Sequence, residues 1–201
     1  KVQVQLTNRQ QFEAEKVLIC NGHEFRMLYP ELFAQSGLVV SKLQMLQTVP
    51  FPELKMKGNI LTGLTIRRYE SFQQLPSYAH LTTPTHYEEL KKWGIHVLFK
   101  QAIDGSIVMG DSHEYAGVQN VNDLGYHIND YINQLMIAEA KRIVNLPVER
   151  IQSSWAGFYS QTTDEIYEYD VDENIRIITG IGGKGMTSSG GYAEETISHY
   201  I

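Results

Sequence analysis

Apolar and polar residues alternate from the first position of the chain: Val2, Val4 and Leu6 are separated by polar residues, the period-two pattern of a half-buried strand. Thr7-Asn8-Arg9 is a turn signal, so Gln10 to Ala14 is expected to pair back as a hairpin. Lys16-Val-Leu-Ile-Cys20 is a continuous apolar run instead, the pattern of a strand covered on both faces in a parallel sheet. That places Cys20 in a buried strand, and Gly22 just beyond it permits a close backbone approach. Glu24 to Gln35 reads as a helix with Phe25, Leu28, Leu32 and Phe33 on one side, broken or restarted by Pro30 and closed near Gly37.

The middle of the chain changes character. Leu38 to Val49 is a long strand that Pro50 and Pro52 end, and Asn59 to Arg68 reads as a strand interrupted by Gly63. Thr85 to Trp93 fits a short helix, with Thr83 or Thr85 as cap and Gly94 as stop. Ile95 to Ala102 and Ser106 to Asp111 flank Asp104-Gly105, the strongest short hairpin signal in the chain. Asn122 to Asn145 is the clearest helix, with Asn122 as its cap and Leu124, Ile128, Ile132 and Leu135 at three- and four-residue spacing. Val148 to Gln161 and Ile166 to Val171 return to strand. Ile175 to Ile178 is a further buried strand, followed by Gly180, Gly182, Gly183 and Gly185 around Lys184, and a helical pattern runs from Met186 through Tyr200. The fold class is therefore α+β, with an antiparallel centre inserted into a sheet whose strands come from both termini.

Composition narrows the function. A chain of 201 residues with 42% hydrophobic and 20% charged residues is long enough for a sizeable core. A formal charge of −6 argues against nucleic acid or an anionic membrane as main partner, since both need a basic face. The single cysteine forbids an internal disulfide and suits a reducing cytoplasm, and no apolar run reaches the length of a membrane span. The chain starts in strand alternation without Met, which reads as a piece of a longer protein.

Strand, glycine turn and helix start together let backbone N–H groups approach an anion or a polarised ring; a plain tight turn is the alternative. Lys184 is an exposed loop lysine or a cation beside such a group. Arg67 and Arg68, read as closing a strand, point to opposite faces, so at most one faces a given pocket. Asp111, His113 and Glu114 contain metal-ligating types, but neighbours on a strand alternate faces and no second spaced pair supports them, so no metal is expected and His113 reads as hydrogen-bonded to backbone.

Three segments resemble the D-amino-acid oxidase/glycine oxidase superfamily of FAD-dependent oxidoreductases, in the same order: Lys16-Val-Leu-Ile-Cys-Asn-Gly22, Ser154-Trp-Ala-Gly-Phe-Tyr159 with Thr162 and Asp164, and Ile178 to Thr187 with Ala193-Glu194. Leu43-Gln-Met-Leu46, Gly63 to Tyr69, Trp93-Gly-Ile-His96 and Gly110-Asp-Ser-His-Glu-Tyr115 resemble a bacterial subgroup associated with phosphonate catabolism. The resemblance implies an antiparallel or mixed-sheet substrate domain, residues 24–150, inserted between the last strands of a Rossmann-like FAD domain (1–23) and its returning strand, flavin-contacting turn and C-terminal helix (151–201), a domain that becomes α/β when complete. It implies FAD contacts from Cys20, Asn21, Gly22, Gln44, Met45, Gly180, Gly182, Gly183, Lys184, Gly185, Met186 and Thr187.

No Gly-x-Gly-x-x-Gly turn follows an early strand, so the ADP-binding N-terminal segment is expected outside this chain, and the chain alone is expected to be inactive. Tyr159 stands where many amino-acid oxidases of the superfamily carry a carboxylate-binding Arg, and it cannot replace a bidentate guanidinium. The implied substrate is a small amine, an aminophosphonate or N-methylated amine, oxidised by hydride transfer to the flavin. Tyr159, Arg68, Arg67, His96, Lys100 and His113 are the residues expected around it. The competing expectation is a non-catalytic ligand-binding or interaction domain on the same scaffold.

Overall fold

The first hairpin forms as the alternation requires: Val2–Gln5 (β1) and Gln11–Ala14 (β2) pair antiparallel, with Val2 opposite Ala14. The structure is a computed structural model that describes residues 1–200. Val17–Ile19 (β3) pairs in parallel with Ile175–Thr179 (β10), which pairs antiparallel with Tyr167–Asp172 (β9). A five-stranded sheet is built from Val39–Thr48 (β4), Leu98–Gln101 (β5), Ile107–Gly110 (β6), Glu114–Gly117 (β7) and Ile151–Gln161 (β8). Its order is β5-β6-β4-β7, with β8 also paired to β4. The helices are Pro30–Ala34 (α1), Gly63–Arg68 (α2), Glu70–Gln73 (α3), Tyr87–Lys92 (α4), Asp130–Ile143 (α5) and Gly185–Tyr200 (α6). This mixed arrangement of helices and antiparallel and parallel strands is the expected α+β class. No described helix is long and apolar enough to cross a membrane.

The chain forms two units. The first contains Lys1–Ser41, Tyr115–Asp123 and Phe158–Ile201; the second contains Lys42–Glu114 and Leu124–Gly157. In the second unit, Ile132, Met136 and Ala140 of α5 are four residues apart and fully buried, so one helical stripe covers the sheet residues Leu46, Phe99, Ile107 and Met109. Lys42 is also fully buried, its Nζ donating to the Leu124 carbonyl at 2.9 Å and lying 3.6 Å from Glu114 Oε2. In the first unit Phe25 and Phe33 pack with ring centroids 4.9 Å apart, near-completely buried.

Four readings of the sequence need correction. Asn59 to Arg68 is not a strand: Ile60 makes one bridge to Phe99, and α2 begins at Gly63. A strand would have shown no clean apolar face, whereas a helical turn buries the neighbours Leu64 and Thr65 together. The long helix starts at Asp130, not Asn122, because Gly125 takes a φ of 54° and the true cap is Asn129, whose Oδ1 accepts from the Tyr131 N–H at 3.0 Å. Between Glu24 and Gln35 only α1 is helical; the Glu24 carboxylate instead caps the Arg26 and Met27 N–H groups in a turn. Cys20 lies beyond β3 and is exposed.

Glu139 of α5 is buried, 3.4 Å from Arg142 Nε and 3.9 Å from His86 Nε2. Burial pushes its carboxyl above the usual range, with His86 and Arg142 opposing. A carboxyl raised in the folded state favours folding only while protonated, so this stability is lost as pH rises from the ordinary glutamate range. The stability of Glu139→Gln relative to the parent is therefore expected to increase from pH 4 to pH 7, measured by denaturation midpoints; a difference that shrinks over that range would contradict the burial account.

Candidate functional site

α2, α4 and the residues leading into β5 enclose a cavity of about 170 Å³ lined by Leu64, Arg67, Arg68, Lys91, Gly94, Ile95 and His96. The expectation that Arg67 and Arg68 face apart fails here, because they sit on a helix rather than a strand and both reach the same cavity. Arg67 is tethered: Nη1 donates to the Gly63 carbonyl at 3.1 Å, Nη2 to the Thr82 carbonyl at 2.7 Å, and the guanidinium lies over the Tyr87 ring. Its Nε is buried without a hydrogen-bond partner. Three cationic side chains and a buried histidine around one small cavity suit an anionic group of phosphate or phosphonate size.

Behind that cavity lies a cluster that the sequence did not reveal. His96 and Asp111 exchange backbone hydrogen bonds of 3.0 and 3.2 Å, extending the β5–β6 hairpin and putting both side chains on one face. His96 Nε2 lies 2.8 Å from Asp111 Oδ1, and His113 Nε2 lies 3.8 Å from Asp111 Oδ2. The two imidazoles stack at 5.4 Å. His113 keeps the expected backbone contact, Nδ1 to the Gly94 carbonyl at 3.2 Å. Since a carbonyl only accepts, Nδ1 carries the proton and Nε2 the lone pair. Burial holds the His113 imidazole down to about 4, with the Asp111 carboxylate opposing. Burial pushes the Asp111 carboxyl up, but His96, His113 and Arg68 beside it bring the net shift below the ordinary aspartate value. Lys91 is the member of this region that sequence reasoning missed; Asp111 was weighed with His113 and Glu114, but not as a partner of His96. Lys100, expected among the substrate residues, is exposed on β5 and does not line the cavity.

The expected cofactor residues fall in two places. Gln44 and Met45 belong to the second unit. The Gln44 amide is spent on α5: Nε2 donates to Asn133 Oδ1 at 2.9 Å and to the Asn129 carbonyl at 3.1 Å, while Oε1 accepts from the Asn129 N–H at 2.8 Å. Met45 packs at Gly110, where an added Cβ would fall 2.7 Å from its Sδ. Cys20, Asn21, Gly22 and the glycine turn share the first unit, tied by two hydroxyls. Ser160 Oγ and Thr179 Oγ1 each donate to the Gly22 carbonyl at 2.7 Å, and the Gly180 N–H donates to Ser160 Oγ at 3.2 Å. Ser160 and Thr179 were not singled out from the sequence; single hydroxyls on strands carry no pattern.

Glycines in this turn serve different ends. Gly180 (φ 76°) passes where a Cβ would meet Leu38 Cδ2 at 2.7 Å, and a Cβ on Gly185 would meet Ile181 Cγ2 at 2.8 Å. Both are demanded by packing. Gly182 and Gly183 form a 3₁₀ turn with Lys184 beneath the Tyr159 ring, whose hydroxyl would lie 3.4 Å from a Gly183 Cβ. Lys184, Met186 and Thr187 are exposed, Met186 at 98%. The residues fit a flat polar cofactor: Gly22 has open space where a Cβ would stand, Asn21 Oδ1 is buried without a hydrogen-bond partner, and α6 opens its backbone N–H groups just after the turn.

The family model DAO, described as FAD dependent oxidoreductase, matches residues 1–198. No curated protein matches. Among solved structures, glycine oxidase from Geobacillus kaustophilus aligns with a TM-score of 0.55 at 14% identity, covering 90% of this chain and 39% of that one. Glycerol-3-phosphate dehydrogenase from Bacillus halodurans, complexed with FAD, aligns with a TM-score of 0.57 at 16% identity, covering 95% and 32%. A modified fructosyl peptide oxidase from Aspergillus nidulans aligns with a TM-score of 0.57 at 11% identity, covering 100% and 46%. At these identities the likeness is one of fold, and the chain spans less than half the length of each of the three.

Proposed function

Because the chain belongs to the DAO family of FAD-dependent oxidoreductases, we propose that it forms the substrate-binding and flavin-edge part of a cytoplasmic enzyme that oxidises a small amine bearing an anionic group. An aminophosphonate or its N-methylated form is the substrate class. The observation that carries this reading is the cavity where Arg67, Arg68, Lys91 and His96 converge. A phosphonate needs several cationic donors, and a simple alkyl amine needs none.

FAD, when bound, supplies the two-electron acceptor for the hydride lost from the carbon next to nitrogen. The chain's own work is placement. Arg68 and Lys91 neutralise the anion, and Arg67, already held by Gly63, Thr82 and Tyr87, keeps the cavity wall in shape. Asn21, Gly22 and Gly182 to Thr187 would hold the cofactor, with Lys184 and the first-turn N–H groups of α6 favouring negative charge beside them. Residues outside these 201 would bind the ADP half, and the isolated chain is expected to take up FAD weakly and show no turnover.

A phosphate ester of an alcohol would suit the same cations, the substrate type named for the Bacillus halodurans relative. Anaerobic titration of the flavin-loaded whole protein separates these readings. Flavin absorbance should bleach with 2-aminoethylphosphonate or its N-methyl form and persist with glycerol 3-phosphate. Bleaching by glycerol 3-phosphate alone would move the reaction to carbon–oxygen bonds, and bleaching by none of them would favour a non-catalytic binding role.

A further inference from the structure

We propose that His96, Asp111 and His113 form a binding site for one divalent transition-metal ion of zinc type, behind the cationic cavity. The three residues each offer one donor atom, all within 4.8 Å of one another. Two imidazoles and one carboxylate are a donor set that nitrogen-preferring metals favour over magnesium or calcium. Bound at about 2.0–2.2 Å, such an ion would need its donors roughly 3–3.5 Å apart, so the site closes by small side-chain rotations.

Three further observations support a ligand there. Asp111 Oδ1 is buried and has no aligned hydrogen-bond partner, although His96 Nε2 is only 2.8 Å away. A buried carboxylate oxygen in that position calls for a cation or a well-directed donor. The far nitrogen of each ring is already oriented: His113 Nδ1 by the Gly94 carbonyl at 3.2 Å, His96 Nδ1 by Thr65 Oγ1 at 3.4 Å. Outer contacts of this kind fix the plane of a ring that ligates a metal. Finally, both histidines are only 4% exposed, and His96 also lines the cavity, which provides an entry path. The site stands apart from the flavin reading: it would exist whether or not the protein oxidises amines.

The test uses the whole protein stripped of metal with a chelator and titrated with Zn²⁺ and Mg²⁺ by calorimetry, with Co²⁺ absorbance as a reporter of coordination. The expected result is one Zn²⁺ per chain, no Mg²⁺ uptake, and Co²⁺ ligand-field bands that Zn²⁺ abolishes. Asp111→Asn and His113→Gln should each abolish this binding. Thr65→Val, which leaves all three ligands in place, should weaken it about 10- to 100-fold. Circular dichroism checks that each variant folds; if the ligand variants do not, the Thr65→Val comparison decides. Absence of stoichiometric Zn²⁺ binding would overturn the proposal. So would full binding by a folded ligand variant, full binding by Thr65→Val, or an equal loss in His86→Gln, which lies outside the cluster.

Discussion

Gly94→Ala is expected to destabilise the protein by about 2–5 kcal/mol. Gly94 follows α4 with a φ of 58°, a conformation that costs an L-residue about 1–2 kcal/mol. An added Cβ would sit 2.7 Å from His113 Cβ and 3.1 Å from both the backbone N and O of His113. Backbone atoms cannot rotate aside as a side-chain tip can, so an overpacking penalty of about 1–3 kcal/mol adds to the conformational one. Against a typical total of about 5–15 kcal/mol, the loss would be plain in a urea midpoint. Gly58→Ala is the control, because Gly58 has ordinary φ and open space around it. If both variants unfolded with the parent, the close approach of Gly94 to His113 would not be a constraint on the fold.

The second large effect is on activity. Arg68→Ala should lower kcat/KM for an anionic amine by about 10- to 150-fold, the value of one charge-assisted hydrogen bond of about 1.5–3 kcal/mol. The loss should fall mostly on KM, since the anion is held equally before and during the chemical step. Oxidation of an amine lacking the anionic group should be nearly unchanged. Lys100→Ala should have no effect on either substrate, because Lys100 does not line the cavity. Arg67→Ala would mix two losses, as its guanidinium also ties Gly63 to Thr82. An unaltered KM in Arg68→Ala would remove the cavity from substrate binding.

Local chemistry was legible in the sequence, and meetings between distant residues were not. Asp104-Gly105 specified its hairpin because the turn and both flanking strands lie within about a dozen residues, and β5 and β6 formed around it. The parallel pairing of the Lys16 run was legible too, since a continuous apolar run has few other uses. Gly63–Arg68 was misread because six residues hold less than two helical turns, too few to separate the two periods. Asn122 looked like a cap because asparagine is one, but Asn129 is the cap, and its own N–H is held by Gln44, 85 residues away. The cavity was half visible: Arg67, Arg68 and His96 were named, but Lys91 carried no mark among other helical lysines. The His96–Asp111 pairing was hidden because strand alternation was judged along one strand, and His96 comes from its neighbour.

The parallel pair of β3 and β10 has a consequence for how the molecule is made. Ile175 lies opposite Val17, so β3 leaves the ribosome long before its partner exists. The second unit, by contrast, lies almost wholly between them and needs nothing from β10 for its buried core. Vectorial synthesis therefore lets that unit close before β10 can pair with β3. Its closure also shortens the effective loop that β3 and β10 must span, lowering the entropy cost of pairing them. The Gly22 strand end and the glycine turn are therefore joined by a contact of high sequence separation, through the strand that carries Thr179 to Gly22.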